Sequence, residues 1–372
     1  MTNGMTRTIG YGLFAASLLA GCAAEKPPVK IGYLGGLTGR TADLGTGGRN
    51  GVQIAVDQIN AQGGIQGRKV ELILKDDAND AETAKKATRE LIDAKVAAIL
   101  GPMTSNVAVA VAPLVSEARV LMVGGSVTTN DLTGKDDFFF RTIAASTVHA
   151  ATMADYLFES RKIRNVAAAV NHSNKAYAES WIINFERAFV ARGGKVVKQV
   201  PYTSAADTDF AHLTRQLLEG NPQAVILVTN AVDAALFANQ VRNQKGTALM
   251  VTAEWAGTGK LTELGGNNVE GYIVPQYLDP QGASAPYQAF RDAYKQRFQQ
   301  EVGFPGVVAY NAAHVVFKSL AEQKNGETLK QTVLRLRKFP GLQGDVVFDD
   351  HGDVQSRTFL TEVQNGQYNL VR

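Results

Sequence analysis

Four side chains could together grip a small charged molecule: Ser105, Ser126, Thr128 and, far along the chain, Glu254 beside Trp255. Ser105 opens a helical pattern directly after a buried apolar run. Its hydroxyl and the first free backbone N–H groups of that helix suit an anion such as a carboxylate. Ser126 and Thr128 follow the next apolar run and are expected at the same edge. Glu254, flanked by Ala253 and Trp255, offers the opposite charge. An anion seat and a carboxylate together fit a zwitterion, whose two ends need one charge-assisted grip each. Taken singly, Ser105 and Thr128 read as helix caps and Glu254 as a solvated surface acid.

Other chemistries find less support. The run Gly45-Thr46-Gly47-Gly48-Arg49-Asn50-Gly51 departs from G-x-G-x-x-G and follows the first apolar run only after about ten residues. A glycine-rich loop that lets backbone approach a cleft, or caps a helix, is expected there. Asp76-Asp77-Ala78-Asn79-Asp80 has the outward form of a Mg²⁺-binding DDxxD. It follows a strand pattern, however, where Asp and Asn make turns and cap the next helix. Asp349-Asp350-His351-Gly352-Asp353 lacks the later glutamate of a calcium loop and reads as a hairpin turn. The histidines at 149, 172, 212, 314 and 351 stand at no metal-ligand spacing. Gly124-Gly125-Ser126-Val127-Thr128 lacks the second glycine of G-x-S-x-G, and nothing else marks a nucleophile with its base. No metal, cofactor or catalytic apparatus is expected.

These side chains must be positioned by an alternation of short β-rich runs and longer helical patterns. Strands are predicted at Val29–Leu34, Val70–Lys75, Val96–Leu100, Val120–Val123 and Phe138–Arg141. A second series covers Val166–Val170, Lys195–Tyr202, Ala224–Val228, Leu249–Val251 and Gly271–Pro275. Helical periodicity marks Gly48–Gln62, Ala81–Ala94, Asn106–Ala118, Ala178–Arg192 and Ala231–Gln244. The last third reads as helices at Ala285–Gln300, Gly306–Gln323 and Thr328–Lys338, then strands at Asp345–Phe348, Arg357–Val363 and Tyr368–Val371. Such alternation implies parallel sheets covered on both faces, with ligands at the carboxyl ends of the strands. Two similar doubly wound α/β lobes facing each other across a cleft are the simplest architecture.

The first 25 residues, MTNGMTRTIGYGLFAASLLAGCAAE, carry the only cysteine. Arg7 precedes an apolar run, Ile9–Ala20, too short to span a bilayer, and small residues surround Cys22, the layout of a secretory signal. Leu19-Ala20-Gly21-Cys22 looks like a bacterial lipobox, in which Cys22 is lipidated and becomes the mature N-terminus. Residues 1–21 are then a signal peptide and 22–28 a tether to a membrane. Removing Arg7 with the signal leaves 37 of 38 basic residues against 35 acidic ones, +2, which gives no reason to expect a nucleic-acid partner. No later window reaches the roughly 18 apolar residues a membrane helix needs, so the body is expected to sit in water.

Several stretches then resemble the periplasmic binding proteins of the leucine/isoleucine/valine type, the substrate receptors of ABC importers. Val29-Lys30-Ile31-Gly32 with Leu37-Thr38-Gly39 resembles the family's opening. Gly51–Asn60 with Gly63-Gly64-Ile65-Gln66-Gly67 is similar to its first helix and turn. Asp76-Asp77 resembles its acidic pair after the second strand, and Phe348-Asp349 with Gly352-Asp353 its late turn. The resemblance implies the type I fold, with a first lobe of residues 29–145 and 276–354, a second of 146–275 and 355–372, and a multi-crossing hinge. It implies ligand contacts at Met103, Ser105, Ser126 (largely through its carbonyl), Thr128, Tyr177 and Glu254. Where relatives carry aromatic residues, this chain has Leu44 and Asn230, which reshapes the part of the pocket that senses the ligand's side chain. Trp255 would be either a substitute aromatic wall or a lid. The implied function is capture of an amino acid (branched-chain, other aliphatic or aromatic) by a monomeric extracytoplasmic lipoprotein that hands it to importer permease subunits. Alternatives left open are a short amide or aromatic carboxylate as ligand, an amide hydrolase on the same architecture, and a sensor or assembly lipoprotein.

Overall fold

The computed structural model describes residues 1–2 and 26–371. Cys22 and the signal-peptide reading lie outside the described residues. Five parallel strands form the first sheet: β1 (Val29–Gly35), β2 (Val70–Asp76), β3 (Ala98–Leu100), β4 (Met122–Gly124) and β5 (Phe139–Arg141). Their spatial order is β2-β1-β3-β4-β5. The second sheet contains β6 (Asn165–Asn171), β7 (Lys195–Tyr202), β8 (Ala224–Val228), β9 (Leu249–Thr252) and β10 (Ile273–Gln276). They run in the order β7-β6-β8-β9-β10, so both sheets share one doubly wound winding. Strands β13 (Phe359–Gln364) and β14 (Gln367–Leu370) add an antiparallel pair beyond β10. A separate ribbon joins β11 (Lys338–Phe339) to β12 (Val346–Val347).

Helices α1 (Ala42–Ala61), α2 (Ala81–Asp93) and α3 (Ser105–Ala118) cover the first sheet, together with α9 (Ala285–Phe298), α10 (Phe304–Glu322) and α11 (Leu329–Leu336). Around the second lie α4 (Ser146–Asp155), α5 (Lys175–Ala191), α6 (Phe210–Leu218), α7 (Ala231–Asn243) and α8 (Gly259–Gly265). The chain passes between the sheets after β5, after β10 and after β12. The central strands are apolar along their length because both faces are covered, as in Ala224-Val225-Ile226-Leu227-Val228, which is wholly buried. Among the described residues no helix is long and apolar enough to cross a membrane.

The expected glycine-rich loop is instead helix. Gly45, Gly47, Gly48 and Gly51 lie within α1, which starts six residues before the predicted Gly48. These glycines let the helix approach its neighbours closely. A Cβ on Gly45 would stand 1.9 Å from the Gly36 carbonyl oxygen, and one on Gly51 only 2.0 Å from that of Gly306 on α10. The two acidic motifs are turns. Asp76 accepts from the backbone of Leu37 and Ala78, and Asp80 caps α2 by accepting from Thr83 N. Asp349 N donates to the Asp353 carbonyl across a turn in which Gly352 has φ +83°.

Because backbone rather than a movable side chain meets the added methyl, Gly51→Ala should destabilise the fold by about 1–3 kcal/mol. Gly259→Ala on α8, whose Cβ would meet nothing within 4 Å, should stay within about 0.5 kcal/mol of the parent. Urea denaturation of the two variants makes the comparison.

Candidate functional site

The carboxyl ends of β3, β4, β6, β8 and β9 point into one cleft between the sheets, and the loops that follow them carry the candidate residues. Glu254 stands in a single turn after β9, Glu254–Ala256, and is 1% exposed. Its Oε2 accepts from Trp181 Nε1 at 2.9 Å and from the Tyr177 hydroxyl at 3.1 Å. Tyr177 and Trp181 sit four residues apart on α5, which puts both rings on one helix face. Tyr177 packs edge-on against Trp255, centroids 5.7 Å apart, and its hydroxyl oxygen accepts from Trp255 N. Glu254 Oε1 is buried without a hydrogen-bond partner among the described residues, and so is Trp255 Nε1.

The partners of Glu254 are neutral, and that decides its protonation. Burial pushes its carboxyl up to about 7, while hydrogen bonds from its own backbone N–H, Tyr177 and Trp181 pull the other way. Burial dominates because no partner brings a full positive charge. Tyr177 is held far above the usual phenol range by burial and then by the Glu254 charge.

From the first lobe come Leu44 on α1 and Met103 after β3, both buried in the apolar cluster that also holds Tyr177 and Trp255. The three candidate hydroxyls divide. Ser126 Oγ donates to the Met103 carbonyl at 2.6 Å. Ser105 Oγ accepts from the backbone N–H groups of Thr128 and Thr129, at 3.3 Å each. These two therefore shape the loop, whereas Thr128 Oγ1 is buried with no partner among the described residues. At the start of α3 the protein itself takes up part of the expected anion seat. Thr104, not Ser105, is the N-cap residue, and Asn106 N already donates to Asn174 Oδ1 from the opposite lobe at 2.9 Å. Arg141 braces the loop from behind, donating to the Thr129 carbonyl and pairing with Asp353 at 2.6 Å.

Tyr277 is a neighbour that sequence reasoning missed. Its ring lies edge-on to His149 at 4.9 Å and to Phe304 at 5.1 Å. Burial and the Glu254 charge hold its hydroxyl well above the ordinary phenol range, with Thr128 and Tyr177 as its polar neighbours. Trp181 was also missed, although its i, i+4 spacing from Tyr177 was readable. Asn230 falls elsewhere: it caps α7, accepting from Asp233 N, and lines a cavity of about 180 Å³ with Arg40, Asn79 and Ser173. The result is a sealed, aromatic-walled site holding one carboxylate, a free hydroxyl and no metal-ligand cluster among the described residues.

The profile of a family described as "Periplasmic binding protein" matches residues 28–367. A leucine-, isoleucine-, valine-, threonine- and alanine-binding protein of Pseudomonas aeruginosa is 26% identical, over 93% of each chain. A Leu/Ile/Val-binding protein homologue of Brucella melitensis is 26% identical, over 92% of this chain and 93% of its own. Among solved structures, a leucine-binding protein of Thermotoga maritima superposes with a TM-score of 0.85 at 25% identity, covering 92% of this chain and 98% of its own. A solute-binding protein of Rhodopseudomonas palustris, in complex with 3,4-dihydroxybenzoic acid, shares the fold with a TM-score of 0.82 at 23% identity, over 92% and 95% of the two chains.

In ligand-free protein the raised Glu254 carboxyl has a definite sign. The folded state keeps that proton to about pH 7, whereas the unfolded chain loses it near 4.5. Stability relative to Glu254→Gln should therefore fall by about 3 kcal/mol between those pH values and stay level above. Paired denaturation curves from pH 4 to pH 8 measure the difference.

Proposed function

The chain belongs to the periplasmic binding proteins of the Leu/Ile/Val-binding type, and on that premise we propose that it captures an amino acid in the cleft and delivers it to an ABC importer. The observation that carries the reading is Glu254, a buried carboxylate with one oxygen that has no hydrogen-bond or cationic partner among the described residues. A ligand ammonium supplies the missing charge. Thr128 Oγ1 and the backbone around Ser105, Ser126 and Met103 take the carboxylate end, while Tyr177, Trp181, Tyr277, Trp255 and Leu44 wall the side chain. Relatives named for leucine, isoleucine, valine, threonine and alanine support an aliphatic ligand.

The same reading gives binding, without turnover, as the activity. The lobes are residues 29–145 with 276–354 and 146–275 with 355–372, and closure about the three crossings encloses the ligand. The chain is exported, cut before Cys22, lipidated there and held at the cell envelope, where it meets the permease as a monomer. Cys22→Ser should abolish incorporation of labelled palmitate and move the protein from the membrane fraction to the soluble one.

A second reading, an aromatic carboxylate as ligand, has its own support in the dihydroxybenzoate complex on this fold. The two differ in the sign of proton exchange. An ammonium favours ionised Glu254, so at pH 7 an amino acid should release about half a proton on binding. An aromatic carboxylate favours the protonated acid and should take up about half a proton at that pH. A thermal-shift screen of amino acids and benzoates selects the ligand, and calorimetry in buffers of different ionisation enthalpy reads the proton. Glu254→Gln should abolish the exchange and weaken amino-acid binding several hundred-fold, since it strands a charge in the dry cleft. Unchanged affinity in that variant would sink the amino-acid reading.

A further inference from the structure

A second charged contact spans the cleft away from the aromatic cluster. Asp233, on α7 of the second lobe, has a fully buried side chain, yet its cation, Arg40, comes from the loop between β1 and α1 of the first lobe. Arg40 Nη1 donates to Asp233 Oδ1 at 2.9 Å, and Nη2 donates to the Ala205 carbonyl at 2.8 Å. The other carboxylate oxygen accepts from Asn171 Nδ2 and the Tyr202 hydroxyl, each at 3.1 Å. These second-lobe partners are neutral, so Arg40 alone supplies positive charge among the described residues.

The arm that carries Arg40 is itself braced. Asp76 Oδ1 accepts from Leu37 N and Oδ2 from the Thr38 hydroxyl, both at 2.8 Å. The first aspartate of the DDxxD-like run thus fixes the loop to the first lobe, and the guanidinium projects from a rigid base. Polar contacts of the same kind line the mouth nearby. Asn79 Nδ2 donates to the Ser173 carbonyl at 3.3 Å, and Thr258 Oγ1 to Asp43 Oδ2 at 2.7 Å.

We propose that Arg40 and Asp233 form a latch that sets ligand affinity by favouring the closed arrangement, with neither side chain touching the ligand. Opening about the crossings separates the pair and leaves the Asp233 carboxylate buried with neutral donors only, an unfavourable state. Apparent affinity is intrinsic affinity multiplied by the closed fraction, so the latch strengthens every ligand by the same factor. Its influence falls on release, because the pair must part before the cleft opens. Arg40 is a third exposed, and solvent screening keeps the effect modest.

The inference rests on the reading that closure holds the ligand, and its test separates the two. With the two tightest amino acids from the screen, Arg40→Gln should weaken both roughly tenfold through faster release, leaving their ratio unchanged. Arg40→Lys should recover part of the loss, and adding Asp233→Asn to Arg40→Gln should cost less than the two single changes summed. An altered ratio, an unaltered affinity, or full additivity overturns the latch. If no small molecule binds, distances in the ligand-free protein decide. Spin labels at Val109→Cys and Ile183→Cys, exposed positions on α3 and α5, in a Cys22→Ser background should show a short-distance population that Arg40→Gln depletes. Absence of that population, or its persistence in the variant, overturns the latch whatever becomes of the amino-acid reading.

Discussion

A carboxylate in a dry aromatic enclosure is costly unless a cation joins it, and the organisation of this protein follows from Glu254 being left in that condition. The two side-chain hydrogen bonds it accepts, from Tyr177 and Trp181, orient it without neutralising it. Full solvation would make a poor grip, because water competes with any ammonium. An internal lysine or arginine would make a stable core and no receptor. The arrangement lies between these limits, and burial raises the proton affinity of the group.

Two copies of one winding create that setting. Each sheet has its topological switch beside its first strand, so loops after β1, β3 and β4 face loops after β6, β8 and β9. Each lobe alone would present an open, wetted strand edge. Apposed, they exclude water, as shown by Leu44 and Met103 of the first lobe lying in the same buried cluster as Tyr177 and Trp255 of the second. Within the first lobe α1 packs through glycine: Gly48 faces the Tyr33 hydroxyl and the Met103 sulfur where a methyl would collide.

What could be read in the sequence follows the range of the interactions involved. Fully buried strands declare themselves as apolar runs, and β8 matches its predicted ends, as does β7, a partly exposed edge strand. Strand–helix alternation and Glu254 opposite a serine- and threonine-bearing loop were likewise legible. The start of α1 was not, because its glycines are poor helix formers held in place by packing against Gly36 and Gly306. Nor was the division of labour among Ser105, Ser126 and Thr128, which depends on carbonyl and N–H positions within two loops. Asn230 reads from its place after β8 as a pocket residue; Asn in that position is also a natural N-cap and acts as one.

Tyr277 went unread because it lies in a crossing between the sheets. It follows β10 in the second crossing, and no sequence period relates it to the strand-end loops of the cleft. His149, just past the first crossing, lies against its ring, and His149 Nδ1 is 2.6 Å from the hydroxyl of Thr358, near the end of the third. Burial holds that imidazole down to about 4, so it is neutral at ordinary pH and packs as an aromatic. All three crossings therefore meet at one uncharged contact whose far side is the Tyr277 hydroxyl, facing Thr128 and Tyr177. The contact that joins the crossings is thus also part of the wall of the candidate site.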